Sequence, residues 1–381
     1  MSDYFPSKLA LGEQFCNRIK EKKFLKTNIE KSRHTVIIAP RRYGKSSLVI
    51  KVVKELHLPF ASIDLFLAHD DTAVTKRILT GIAQAVSHIM PLEQKILAKL
   101  QGIFNKFRIS LSAQGFNIDA AFDQNRLDPV DQIYSGLSAL SQLASEFKKN
   151  IVFFMDEFQD INEAACSKSI QGAIRHVAQE TSSITFIFSG SNRRLLLELF
   201  DDKSKPLYML CDMLILERMM PDDYQAHLQK LAIKKWGKAL PDMLFNKIMA
   251  LTELHPYYVN LLCNEVWKLK TIPLLDEIFD CWQRCYEAHE DRLIADLEKL
   301  TVKQQDILKA LALNPVTAPT GLSFVRAAKM PSSSIAQTIK LLMNKDMVYK
   351  VKQVSENIEQ IELNQIRVLD PLLAYALKKY E

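Results

Sequence analysis

The chain has 381 residues, 48% of them apolar and 25% charged, which is enough core-forming material for two or three domains and excludes a disordered polymer. A net charge of +6 permits a nucleic-acid partner without requiring one, and six scattered cysteines point to reduced thiols rather than a disulfide framework. The opening MSDYFPSKLALGEQFCNR has no basic stretch followed by an apolar one, and no run approaches the roughly 18 apolar residues of a membrane span, so a cytoplasmic protein with no membrane partner is expected.

Five short runs read as strands of a buried parallel sheet: His34 to Ala39, Pro59 to Leu65, Ile151 to Met155, Ile184 to Ser189, and Asp212 to Leu216. Each is β-branched or aromatic with little alternation, and helical stretches separate them, which predicts a doubly wound α/β sheet. Across about 91–130 the pattern falters, and FNKFRISLSAQGFNID reads as a small hairpin in an insertion, its turn near Ala113 to Gly115. After Glu217 the strands stop, and 219–300 reads as all helix through PDDYQAHLQKLAIKKW and HPYYVNLLCNEVWKLK.

The last segment, 301–381, begins with Thr301 as a helix cap and Gln304 closing a capping box. A second helix follows near Gly321 to Lys329 and a third from Pro331. Two strands around a polar tip lie in MVYKVKQVSENIEQIELNQIRVLD, and a short helix closes the chain. Three helices and a β-wing make a winged helix-turn-helix. The predicted organisation is therefore a segment 1–30 before the first strand, an α/β core over 31–218, a helical lid over 219–300, and the winged helix.

The stretch VIIAPRRYGKSSLVI, residues 36–50, crowds three cations into the turn between a strand and a helix, an arrangement that calls for an anion. It matches the Walker A pattern at Gly44, Lys45 and Ser46, with Ala39 where the first glycine is expected. Backbone amides of the turn and the helix start point at phosphates, and Gly44 lets the chain approach them. The candidate cradle is Ala39, Pro40, Arg41, Arg42, Tyr43 and Gly44 with Lys45, Ser46 and Ser47. In it Lys45 reaches the β and γ phosphates of ATP and Ser46 ligates Mg²⁺.

Hydrolysis needs a second strand end bearing carboxylates, and IVFFMDEFQD provides one. Asp156 is placed to hold the Mg²⁺ shell and Glu157 to polarise the attacking water. The exit of the strand ITFIFSG carries Ser189, Ser191 and Asn192, then Arg193 and Arg194; Ser191 or Asn192 could register the γ-phosphate, and Arg193 or Arg194 could offset transition-state charge.

Two further patterns carry less. Cys281, Cys285 and His289 recur every four residues on one helix face, but the outer two would lie about 12 Å apart, too far for one ion, so a packed stripe is the reading. The winged helix holds eleven Lys/Arg against seven Asp/Glu. Lys340 and Lys345 fall on its third helix, and Arg326, Lys329, Lys350 and Lys352 could reach phosphates of duplex DNA without specifying sequence.

The segments FCNRIKEKKFLKTNI, APRRYGKSSLV, FFMDEFQD, FIFSGS, KPLY and HPYYVNLLCNEVW together resemble the archaeal-type P-loop ATPases of the STAND class within the AAA+ superfamily, relatives of origin initiators and signalling NTPases. The resemblance spans nearly the whole chain. It departs at Ala39 and at PLYML, which lacks the Gly-Arg that often follows PLY. It implies that Arg18 lies near the adenine and that His255 and Pro256, at the start of a lid helix, close over the nucleotide; read from residues alone, His255 is a helix-start residue with proline in the first turn.

The expected function is an ATP-binding, ATP-hydrolysing molecular switch that couples nucleotide state to the winged helix. A DNA-binding module with a regulatory nucleotide site, and a scaffold that recruits a protein partner or self-associates, are the alternatives.

Overall fold

A computed structural model describes residues 4–6, 9–10, 12–90, 93, 96–112, 114–120, 128–352 and 361–379. Within it the chain divides into two units: Ile19–Arg41 with Lys45–Leu216, and the described residues of Met1–Arg18, Arg42–Gly44 and Glu217–Glu381.

The first unit is built on the predicted parallel sheet. Helix α1 (Ile19–Glu30) precedes β1 (Thr35–Ile38), α2 (Lys45–Leu56), β2 (Phe60–Asp64) and α3 (Asp71–Ile89). Then come α4 (Leu97–Ile103), an antiparallel hairpin of β3 (Phe107–Ser112) and β4 (Gly115–Ala120), and α5 (Pro129–Glu146). The unit closes with β5 (Ile151–Asp156), a 3-10 turn (Phe158–Glu163), α6 (Ser167–Glu180), β6 (Ile184–Gly190), α7 (Arg193–Asp201) and β7 (Asp212–Ile215). The hairpin falls where the sequence placed it; Ala113, in its predicted turn, lies outside the described residues.

The sheet runs in the order β2-β5-β6-β1-β7 with every pair parallel. Strands β5 and β6 are buried along nearly their whole length, which is why their sequences are mostly apolar without alternation. Ile63, Phe153, Phe186 and Phe188 share one core with Ile82 of α3, Leu137 of α5 and Ile174 of α6. Because β1 lies between β6 and β7, the chain leaves it in one direction to reach β2, while β7 is added on its other side. Such a reversal of strand order opens a crevice beyond the carboxyl ends of the strands, the usual ligand position in sheets of this kind.

Strand β2 is an edge, and α3 closes it. Gln84 Oε1 accepts from the Ser62 amide at 3.2 Å, His88 Nδ1 lies 2.6 Å from the Phe60 carbonyl oxygen, and Arg77 donates to the Asp64 carbonyl. Residues 60, 62 and 64 are the alternate positions that face away from β5, so these three helical side chains serve backbone groups that have no strand partner.

The second unit contains α8 (Pro221–Trp236), α9 (Asp242–Thr252), α10 (Pro256–Val266), α11 (Leu275–Glu287) and α12 (Glu290–Glu298), the predicted helical stretch. There follow α13 (Val302–Leu313), α14 (Leu322–Ala328), α15 (Ser332–Asn344), β8 (Val348–Lys350), β9 (Ile366–Val368) and α16 (Pro371–Lys379). The capping box forms as read: Gln304 N donates to Thr301 Oγ1 and Thr301 N to Gln304 Oε1. Strands β8 and β9 pair antiparallel, and the polar tip between them lies largely outside the described residues. One core joins Tyr258, Trp282 and Tyr286 to Leu308, Leu311 and Leu372. Cys281 and Cys285 are buried in it, and no metal-binding cluster of His, Cys, Asp or Glu occurs among the described residues.

Candidate nucleotide site

In the first unit the site is assembled at the carboxyl ends of β1, β5 and β6. Ala39 is buried with an ordinary negative φ, so the place where the Walker pattern has glycine makes no demand for one here. The left-handed residues of the turn are Arg42 and Gly44 (φ 66° and 85°), and at Gly44 the lack of a Cβ removes the steric cost. Lys45 is 6% exposed and its Nζ donates to the carbonyls of Ala39 at 3.2 Å and Pro40 at 3.5 Å, folding the ammonium along its own loop. Arg41 Nε donates to Ser191 Oγ at 3.4 Å, and its guanidinium lies 5.6 Å from the Phe66 ring centre.

Asp156 is the last residue of β5 and collects three donors. Ser46 Oγ, in the first turn of α2, donates to Oδ2 at 2.5 Å; Ser189 Oγ and the Glu157 amide both donate to Oδ1. Glu157 follows in a left-handed conformation (φ 47°, ψ 43°), which turns its carboxylate toward the end of β6. There Oε2 accepts from Ser191 N at 3.0 Å, Ser191 Oγ at 2.8 Å and Gln159 Nε2 at 2.7 Å. Burial alone would raise the Glu157 pKa, but Lys45 and these donors outweigh it and hold the carboxyl below its ordinary range. Lysine, hydroxyls and carboxylates are thus gathered at the carboxyl end of the sheet.

The exit of β6 treats its polar residues differently. Ser191 is buried against Glu157, whereas Asn192 caps α7, its Oδ1 accepting from Leu195 N at 3.1 Å. Arg193 and Arg194 are exposed in the first turn of α7, where cations oppose the helix dipole and so add nothing to helix stability.

In the second unit, Arg18 is buried and left-handed, and its Nη2 donates to the carbonyls of Tyr43 at 3.0 Å and Glu217 at 3.2 Å. The Tyr43 ring meets the His255 imidazole edge-on at 4.8 Å, and the Arg42 guanidinium lies 4.2 Å from the Tyr257 ring centre. His255 is the N-cap of α10 with Pro256 in the first turn, and its Nδ1 accepts from Tyr257 N at 3.3 Å. Burial first, and then Arg218, Arg42 and Arg18, push the His255 pKa well below its ordinary value, so the ring is neutral at pH 7. The helix-start reading of His255 holds as geometry.

Sequence reasoning passed over several participants. Ser189 stands at the strand exit that the sequence reading picked out, but without a role there, and Gln159 stands within the acidic stretch that was singled out. A buried cluster of Arg218, Glu253, Tyr349 and Arg367 had no signal in the sequence, because its members are far apart in the chain. Arg218 Nη1 donates to Glu253 Oε2 at 3.0 Å, Arg367 Nη2 to Glu253 Oε1 at 2.8 Å, and Arg218 stacks 3.9 Å from the Tyr349 ring centre.

Against known structures, the chain is similar to a Walker-type ATPase of Pyrococcus abyssi, with 18% identity, a TM-score of 0.67, and coverage of 98% of this chain and 99% of that one. It is also similar to the ORC2 protein of Aeropyrum pernix in its ADPNP and ADP complexes, with 14% identity, a TM-score of 0.55, and coverage of 96% and 93%. The likeness is one of fold. The parallel α/β fold expected from the sequence is therefore shared with these proteins, and residues 294–377 match the family described as "Probable winged helix domain". No curated protein matches the sequence. Among the described residues no helix is long and apolar enough to cross a membrane.

Proposed function

We propose that the chain binds MgATP and hydrolyses it slowly, as a molecular switch whose nucleotide state governs the winged helix. The observation that carries this reading is the convergence of Ser46, Ser189 and the Glu157 amide on Asp156, at the strand ends beside buried Lys45. The amides that open α2 and the Lys45 ammonium suit a polyphosphate. The adenine base is proposed from the ADPNP and ADP of the Aeropyrum pernix neighbour.

The donor set fits magnesium. It offers a hydroxyl and carboxylate oxygens with no thiol or imidazole, and Mg²⁺ takes one or two protein oxygens alongside phosphates and waters rather than a full protein cage. Ser46 and Asp156 would hold the ion, which supplies charge neutralisation on the phosphates. Glu157 orients the attacking water, and Arg41, Arg193 or Arg194 contributes positive charge. Arg18 and His255 act within their own unit as supports of Tyr43, and Pro256 opens the helix that His255 caps.

Turnover and ATP affinity of the wild type, Lys45→Ala and Glu157→Gln test the assignment. Lys45→Ala should lose binding. Glu157→Gln should keep its Kd within about twofold while turnover falls by about 100-fold, the lower part of the range for a lost general base. Equal rates in all three proteins would remove the catalytic claim.

A second reading, duplex DNA binding, is favoured by one observation: Arg326, Lys329, Lys340 and Lys350 of the winged-helix segment are all exposed. These cations are placed for phosphates, which give affinity without sequence choice.

A further inference from the structure

Gln159 lies in the 3-10 turn after β5 and is 5% exposed. Its Nε2 donates to two carboxylates, Glu157 Oε2 at 2.7 Å and Asp160 Oδ1 at 3.0 Å. Its Oε1 is buried and meets no hydrogen-bond partner among the described residues. That oxygen lies against Gly190, where an added Cβ would fall 1.9 Å from it. Reversing the amide would set an acceptor against two acids, so its orientation is dictated by them.

A buried carbonyl without a donor is unfavourable, and a leucine of similar size would fill the space without that defect. The amide must therefore be retained for what its N–H groups do. They place it between Glu157 and Asp160, which otherwise repel; burial and Glu157 both raise the Asp160 pKa. Glu157 Oε2 is saturated by Gln159 and Ser191, and no hydrogen bond among the described residues reaches Glu157 Oε1. One carboxylate oxygen is anchored and the other is open.

We infer that Gln159 is a positioning residue that holds Glu157 by Oε2 so that Oε1 is presented to the attacking water, and that Gly190 is glycine to make room for it. The role of the water rests on the hydrolysis reading above; the clamp itself does not.

A double-mutant cycle of Glu157→Gln and Gln159→Leu, read by urea unfolding without nucleotide, tests the clamp. The two changes should be non-additive by about tenfold in the unfolding equilibrium constant, as befits a buried hydrogen bond to a charged acceptor. In steady state, Gln159→Leu should lower kcat by at least about tenfold and leave the MgATP Kd within about twofold, a split that mere loosening of the fold would not produce. Gly190→Ala evicts the amide from the other side and should show the same split, which keeps the test open if Gln159→Leu fails to fold.

An additive cycle, or wild-type kcat in either variant, overturns the inference while leaving wild-type hydrolysis intact. Absence of turnover in the wild type overturns the hydrolysis reading and the role of Oε1 with it, so the two failures are told apart.

Discussion

The carboxylate of Glu253 and the guanidinium of Arg367, 114 positions apart, meet at 2.8 Å with both side chains about a tenth exposed. Arg218 reaches the same carboxylate from its other side and also donates to the Glu253 and Leu369 carbonyls. Glu253 occupies a left-handed conformation at the end of α9, and its charge ties that turn to strand β9.

Removing the shared acid should therefore leave two cations buried without it. Glu253→Ala is expected to destabilise the protein by about 3–5 kcal/mol, measured by urea unfolding at pH 7. Burial alone would raise the Glu253 pKa, but Arg367 and Arg218 hold it below the ordinary 4.5. The stability it contributes is thus fully present above about pH 4.5 and is lost as pH falls through the folded value. A loss below about 1 kcal/mol would show that the cluster is not a net tether.

His255 acts in a separate pH window. Its pKa is depressed by burial and by Arg218, Arg42 and Arg18, so protonation favours unfolding. Its contribution is complete above about pH 6.5 and declines as pH falls through the folded value. His255→Asn, which can keep the cap on α10, should have a flatter stability profile between about pH 7 and 5; an unchanged slope would place the acid sensitivity elsewhere.

Asp156→Asn keeps the shape of the β5 terminus but removes the negative charge that attracts a cation. Affinity for Mg²⁺ in the presence of ATP should fall by about 10- to 100-fold, and Ser46→Ala should shift it in the same direction by less. Magnesium titrations monitored through a fluorescent ATP analogue would show this. Identical magnesium curves for all three proteins would exclude these two residues as ligands.

If the winged helix binds duplex DNA, affinity must fall steeply with salt. Lys340→Glu with Lys350→Glu should lower the slope of log K against log salt by about 2, and by similar amounts on unrelated sequences. No binding to any duplex at low salt would dispose of this reading.

Much of the architecture was legible because the physics that builds it is local. Short apolar runs rich in β-branched and aromatic residues, such as IVFFM and ITFIF, read as strands buried on both faces, and Thr301 with Gln304 writes a helix start into four residues. Lys45, Ser46, Asp156 and Glu157 could be chosen because each stands where a strand ends or a helix begins. What stayed hidden depends on partners distant in sequence. Ser189 could not be matched to Asp156, nor Gln159 to Gly190, until β5 and β6 were set side by side. Asn192 shows the opposite case: its residue type suits a phosphate sensor, but its side chain is already committed to the amide of Leu195.

The cover that α3 lays over β2 has a consequence for handling the protein. An unguarded outer strand is adhesive toward its own kind, and here the guard consists of three side chains, Arg77, Gln84 and His88. Detachment of that single helix would bare the outward backbone groups of β2 to any strand that could stack on them.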